Sequence, residues 1–253
     1  MDAEKRLEKI SEEIKEFFSR CGKGKAVIGL SGGIDSALSA FLVVKALGKE
    51  NLEAIIMPEE GLSSKEGIED AKKLAGFLGI GYILQPVNAF VEKFEAVEWK
   101  LTDIAKGNLR ARARMVLLYS YANSKNALVV GTGNRSELLL GYFTKYGDGG
   151  ADFLPIGGLY KGDVMELARA AGIPEEILAK KPSAELWKGQ SDEKDIGMKY
   201  GKIDAILKLL VDEGNSIKDA AEIYGNKAAV EAIAKRIDTN RHKGQLPFVI
   251  PAG

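Results

Sequence analysis

Residues 31–37 read Ser-Gly-Gly-Ile-Asp-Ser-Ala, and they stand between two segments of different period. Before them Ala26-Val27-Ile28-Gly29-Leu30 is short, β-branched and nearly free of polar side chains, as a strand buried on both faces should be. After them Ala37, Leu38, Ala40, Phe41, Val44 and Leu47 recur at helical spacing. A strand, a glycine turn and a helix start make an anion site, because the first N–H groups of a helix have no intrahelical partner and carry the positive end of its dipole. The stretch lacks G-x-x-x-x-G-K-[ST], so it is not a Walker A loop. Asp35 stands where a hard oxygen ligand for Mg²⁺ would be useful. A tight βα turn whose helix is capped by Asp35 and Ser36 is the structural alternative.

Working outward, further short apolar runs occur at 52–57, 82–84 and 127–130, separated by segments of helical period. That alternation predicts a parallel sheet. Ser63 to Glu66 reads as a capping box before a helix carrying Ile68, Ala71, Leu74, Ala75 and Leu78. Two helical stretches, 88–97 and 102–123, make a longer connection to the fourth run and can carry the chain to the other side of the first strand. A topological switch point then falls between strands one and four, and ligands of open α/β sheets sit there. SGGIDS follows the first strand; Gly131 to Glu137, GTGNRSE, follows the fourth. Asp35 and Glu137 are thereby a candidate pair of Mg²⁺ ligands, with a nucleotide supplying the other oxygens. The alternative for Glu137 is a solvated first-turn glutamate that favours the helix dipole.

The chain has 253 residues, 36 basic and 36 acidic, so its net charge is zero and offers no electrostatic case for nucleic acid or a membrane surface. Cys21 is the only cysteine, which excludes an intramolecular disulfide framework and cysteine-rich metal sites and fits a reducing cytoplasm. The amphipathic N-terminus, with Leu7, Ile10, Ile14, Phe17 and Phe18 along one side, is neither a signal peptide nor a membrane span. Thr144 to Val164 is dense in glycine and charge, and its Thr144–Asp152 part reads as a lid or as a plain surface loop. Lys180 to Glu193 reads as a second loop. In GNLRARARM, Gly107 to Met115, Arg110 and Arg114 share a helix face while Arg112 points away from it. The single histidine, His242, lies in a basic tail, where solvation is the ordinary outcome.

SGGIDS resembles the pyrophosphate loop of the ATP pyrophosphatases, a group that includes NAD, GMP and argininosuccinate synthetases. The stretch Leu128 to Val164, together with GNLRARARM, KPSAELW and the terminal RHK, resembles NAD synthetase specifically. The resemblance implies a doubly wound, Rossmann-like α/β fold with added N- and C-terminal helices, forming one domain over residues 1–253. It implies ATP-dependent amidation of deamido-NAD by ammonia through an NAD-adenylate, with AMP and pyrophosphate released; the alternatives are another amidating ligase with the same loop, GMP synthetase-like, and a non-catalytic ATP-binding module. It assigns Gly29, Leu30, Ser31, Gly32, Gly33, Ile34, Asp35, Ser36, Thr132, Lys161 and Ser183 to ATP, and Asp35 and Glu137 to Mg²⁺. Asp35 and Lys161 would be catalytic. Arg112, Lys145, Asp152, His242 and Lys243 match deamido-NAD contacts, near the interface of a homodimer, and a separate glutaminase could supply the ammonia. GTGNRSE departs from the G-T-D-H-A-A-E of many bacterial ammonia-using members and is closer to the archaeal and glutamine-using branches.

Overall fold

The computed structural model describes residues 2–183, 186–187 and 189–251. Four parallel strands, β1 (Ala26–Gly29), β2 (Leu52–Ile56), β3 (Gly81–Leu84) and β4 (Leu128–Val130), lie in the order β3-β2-β1-β4. The chain therefore reverses direction across the sheet between β1 and β4, and Ala26 pairs with Leu52 on one side and Leu128 on the other. The helices are α1 (Ala3–Cys21), α2 (Ile34–Leu47), α3 (Lys65–Leu78), α4 (Asn88–Glu95), α5 (Asp103–Lys125), α6 (Arg135–Leu140), α7 (Lys161–Ala170), α8 (Glu175–Leu178), α9 (Asp192–Ile196), α10 (Tyr200–Leu207), α11 (Ile217–Tyr224) and α12 (Lys227–Asn240). No helix among the described residues is long and apolar enough to cross a membrane.

Strand alternation sorts the core into two layers. Ile28, Ala54 and Ile56 face α1, α2, α3, α7 and α8, where Leu38, Leu42, Leu74 and Leu167 are fully buried. Val27, Ile55 and Val129 face α4 and α5 through Val91, Ala113 and Ala122. A third cluster, built on Leu140, Ile203, Ile206, Leu207 and Val230, packs the C-terminal helices against α6. From the N-terminal helix, Leu7, Ile14 and Phe18 are buried, while Ile10 and Phe17 are only partly so. The Phe18 ring meets Phe153 edge-on at 5.2 Å.

Two local expectations shift. The N-cap of α3 is Ser64, whose side chain accepts from Gly67 N at 3.0 Å; Ser63 instead accepts from Glu59 N. Adjacent serines can each cap a helix, and the loop's own need for an acceptor decides between them. β3 is exposed at every residue, because it forms the sheet edge and helices cover it incompletely.

Candidate functional site

The glycine turn after β1 and the turn after β4 open into one crevice of about 330 Å³, a size suited to a nucleotide-sized ligand. It is lined by Gly29 to Ser36, by Met57, Ser64 and Arg114, by Thr132 and Glu137, and by Lys180 to Ser183 with Asp192. Gly32 has φ +74°, and a Cβ there would stand 2.5 Å from the carbonyl oxygen of Gly67. This glycine is therefore required by the contact with α3. Gly33 has ordinary extended backbone and serves as the N-cap of α2, with no side chain capping the helix. Ser36 does not cap either: its hydroxyl donates to Gly33 O at 2.9 Å and lies 3.2 Å from the Ser31 hydroxyl. The helix start is left facing the crevice, as an anion site demands.

Across the crevice, Asn134 caps α6 by accepting from Glu137 N at 3.0 Å, and Glu137 returns the bond by accepting from Asn134 N at 3.2 Å. The same Asn134 side chain donates from Nδ2 to Asp35 Oδ1 at 3.0 Å. One buried amide thus joins the two turns that flank the switch point. Lys161, at the start of α7, completes the cluster. Its ammonium pairs with Asp35 Oδ2 and lies 3.8 Å from Glu137 Oε1, with the Tyr200 ring centroid 5.2 Å away.

Burial sets the electrostatics. It pushes the Glu137 carboxyl well above its ordinary value, with the Asp35 charge adding to the effect and Lys161 opposing it. Burial alone would lower Lys161, yet Asp35 and Glu137 outweigh it and hold the ammonium above its ordinary value. Asp192, which accepts from the hydroxyls of Tyr142 and Tyr200, is also raised by burial. Two carboxylates that already share a cation offer hard oxygens to Mg²⁺, and among the described residues no third acid, histidine or cysteine joins them in a group able to hold a metal by itself, although Asp192 lies near enough for its charge to be felt. That donor set fits a metal held jointly with phosphate oxygens.

A second cavity, about 300 Å³, is lined by Asn108, Arg112, Phe143 to Tyr146, His242 and Lys243. Four of the five residues matched to deamido-NAD meet there. Arg112 is exposed and donates to Lys145 O at 3.2 Å, whereas Arg110 is held bidentately by Glu59 at 2.7 and 2.9 Å. Lys145 Nζ donates to the carbonyls of His242 and Gln245, and Lys243 Nζ to that of Gly141 at 2.8 Å. Asp152 stands apart: Oδ2 accepts from Val129 N at 2.7 Å and Oδ1 from the Tyr119 hydroxyl at 3.1 Å, so it secures the edge of β4.

The glycines of Thr144–Asp152 serve close packing more than hinge freedom. A Cβ on Gly147 would meet Thr144 and Ala111, and one on Gly149 would lie 2.5 Å from the Phe143 ring. In the loop after α8, Ser183 donates to Gln190 O and Lys180 pairs with Asp70 at 2.5 Å. Residues 184, 185 and 188 of that expected loop lie outside the described residues.

Sequence reasoning missed Asn134 as the link between the two turns, and Asp192 and Tyr200 as walls of the cluster. Only Asn134 carried a signal, its place as a capping residue three positions before a glutamate.

The family model for NAD synthase matches residues 6–247. An NH(3)-dependent NAD(+) synthetase of Archaeoglobus fulgidus is 46% identical over 249 residues, 98% of this chain and 97% of that one. Among solved structures, an NMN synthetase from Francisella tularensis superposes with TM-score 0.87 at 35% identity, each chain covered completely. An NH3-dependent NAD synthetase from Campylobacter jejuni, solved with a nitrate ion, gives 0.84 at 35% identity over 99% of this chain and 100% of that one. The likeness runs through both turns of the crevice and through the helices that close it, and the chain belongs to the NAD synthase family.

Proposed function

We propose that the crevice and the second cavity carry out the two steps of ammonia-dependent NAD(+) synthesis on bound ATP and deamido-NAD. The activity is that of the family, whose members use ATP. The observation that carries the residue assignments is the placement of Lys161 between Asp35 and Glu137, at the mouth of the uncapped α2 helix.

In the first step the nicotinate carboxylate of deamido-NAD attacks the α-phosphorus of ATP, giving a mixed anhydride and pyrophosphate. The free N–H groups at the start of α2 bind the departing pyrophosphate, aided by Ser31 and Ser36. Lys161 holds its charge where the phosphates carry theirs. Asp35 and Glu137 would hold Mg²⁺, which supplies charge neutralisation for the phosphates when bound. Thr132 and Ser183, which both line the crevice, orient the nucleotide. Arg112, Lys145, His242 and Lys243 receive the dinucleotide in the second cavity, Arg being suited to bidentate phosphate contacts. Asp152 supports that region through β4. In the second step ammonia attacks the anhydride carbon, forming the amide and expelling AMP. A carboxylate is a poor acceptor for ammonia, and the anhydride is a good one.

The sheet and the C-terminal helices work as one domain: Asp192 lines the crevice that β1 and β4 open, and Lys161, beside Tyr200, pairs with Asp35 of its wall. The chain acts as a homodimer, supported by the apolar edge of β3, with the second cavity near the interface. A second reading concerns the acceptor. The solved NMN synthetase favours testing a mononucleotide.

Pyrophosphate release tests the proposal. Release should require deamido-NAD, and NAD should form with ammonium chloride and not with glutamine. Nicotinate mononucleotide replaces deamido-NAD in a parallel arm. Release that needs no acceptor would reduce the site to ATP hydrolysis, and faster turnover of the mononucleotide would replace the acceptor.

A further inference from the structure

Helix α10 carries no catalytic motif in the sequence, yet two of its residues, one turn apart, hold Lys161 from both sides. Tyr200 sets its ring beside the Lys161 ammonium. Asp204, only 6% exposed, takes the backbone end. Its Oδ2 accepts from Gly162 N at 2.9 Å, and its Oδ1 accepts from the Ser136 hydroxyl at 2.6 Å. The Ser136 oxygen in turn accepts from Lys161 N at 3.0 Å. Ser136 precedes Glu137 in α6, and Gly162 follows Lys161 in α7. One buried carboxylate therefore spans the first turns of both helices, where free N–H groups and the dipole favour an anion.

A carboxylate that merely capped α7 would need only the backbone N–H groups of that helix. Here the chain of hydrogen bonds runs through Ser136 and couples α7 to α6, whose next side chain is Glu137. We propose that Asp204 is a positioning residue that sets the spacing of Lys161 and Glu137 for the adenylation step. This rests on the reading of Lys161 and Glu137 as active-site groups. An amide at position 204 cannot do the same. With its oxygen on Gly162 N, its NH₂ can donate to the second lone pair of the serine oxygen, but the serine proton then loses its buried acceptor. Turned over, it sets NH₂ against N–H. Either way one buried donor is left without an acceptor and the charge-assisted link between the two helices is lost.

The experiment compares Asp204→Asn, Ser136→Ala, their double variant and Lys161→Met in steady-state turnover of ATP, deamido-NAD and ammonium chloride, with circular dichroism and thermal melts. Asp204→Asn should lower kcat by about tenfold to a hundredfold while the KM for ATP moves less than about threefold. The double variant should lose no more than Asp204→Asn alone, since both substitutions cut the same link. A purely structural cap would lower the melting temperature and leave kcat per folded molecule unchanged. A kcat loss below about fivefold in folded Asp204→Asn overturns the proposal. So does a double variant whose loss is the product of the singles. Should Asp204→Asn fail to fold, Ser136→Ala, which deletes one hydroxyl, carries the test at the same threshold. Lys161→Met separates the two readings: if it keeps wild-type kcat the active-site assignment falls, and if it abolishes turnover while Asp204→Asn does not reduce it, only the role of Asp204 falls.

Discussion

Glu137 closes the first turn of its own helix with one carboxylate oxygen and faces the Lys161 ammonium at 3.8 Å with the other. One side chain therefore closes its own helix and faces the charged cluster, each with a different oxygen, and it is largely buried where the sequence alternative has it solvated. Asp35 shows the same division, with Oδ1 on Asn134 and Oδ2 on Lys161. If these carboxylates hold Mg²⁺ as proposed, the ion must approach the same oxygens that Lys161 pairs with, and this has measurable consequences.

Lys161→Met should destabilise the protein in chelator by about 3 kcal/mol, because a buried pair loses its cation and Asp35 and Glu137 are left to repel one another. Added Mg²⁺ should then raise the melting temperature of the variant more than that of wild type, where the ammonium already occupies the space between the carboxylates. Equal gains in the two proteins would show that the ion binds elsewhere.

Glu137→Gln should cost activity and not stability. Glutamine keeps the acceptor for Asn134 N and removes a charge that burial and Asp35 both oppose. Turnover should fall by at least about tenfold. The pH dependence has a definite sign. Unfolded, the glutamate ionises near 4.5; folded, it holds its proton to higher pH, so wild-type stability declines as pH rises above 4.5. The variant lacks this decline, and its advantage in chelator should widen over the same range. Melts of both proteins across pH would reveal parallel curves if the carboxyl were not strained.

Much of this arrangement is written locally. Strand hydrophobicity, helical period and the long connection before β4 together announce the switch point, and from it the meeting of Asp35 with Glu137. What is not local is not legible. Asn134 looks like any cap until β1 and β4 are known to be neighbours, and Asp204 lies 68 residues beyond its partner Ser136. Glycine is ambiguous for another reason: freedom to bend and lack of room for a Cβ call for the same residue. Thr144–Asp152 reads as a hinge for that reason, and the side chains crowding Gly147 and Gly149 show the second cause.

Gly32 and Gly33 separate those causes within one turn. Gly32→Ala should destabilise the fold by about 1–3 kcal/mol from its left-handed backbone alone, with the Gly67 carbonyl 2.5 Å from the new methyl adding to the loss. Gly33→Ala meets only the Ser31 hydroxyl, at 3.3 Å, so it should cost less than about 1 kcal/mol. It should nevertheless raise the KM for ATP by about tenfold, since the methyl would stand where the backbone approaches pyrophosphate. Denaturant unfolding and ATP titration of the two variants would show matched losses if both glycines served the same purpose.

The exposed edge of the sheet bears on assembly. A strand with free N–H and C=O groups and apolar side chains invites pairing, and soluble proteins ordinarily guard such edges with charge, proline or a bulge. β3 instead presents Tyr82, Ile83 and Leu84 at 45%, 39% and 46% exposure, and α4 leaves Phe90 and Phe94 at 39% and 44%. Exposed apolar side chains along a sheet edge are suited to burial against a second copy. Ile83→Glu combined with Phe94→Glu should convert a dimer to a monomer in sedimentation or light scattering, with the fold intact because both side chains are exposed. Exposed Arg112, on the α5 helix that packs against α4, should then lose its setting, so the KM for deamido-NAD should rise while that for ATP stays near wild type. If the double variant remains dimeric, the interface lies on another face. If it dissociates and both KM values hold, the second cavity is complete within one subunit.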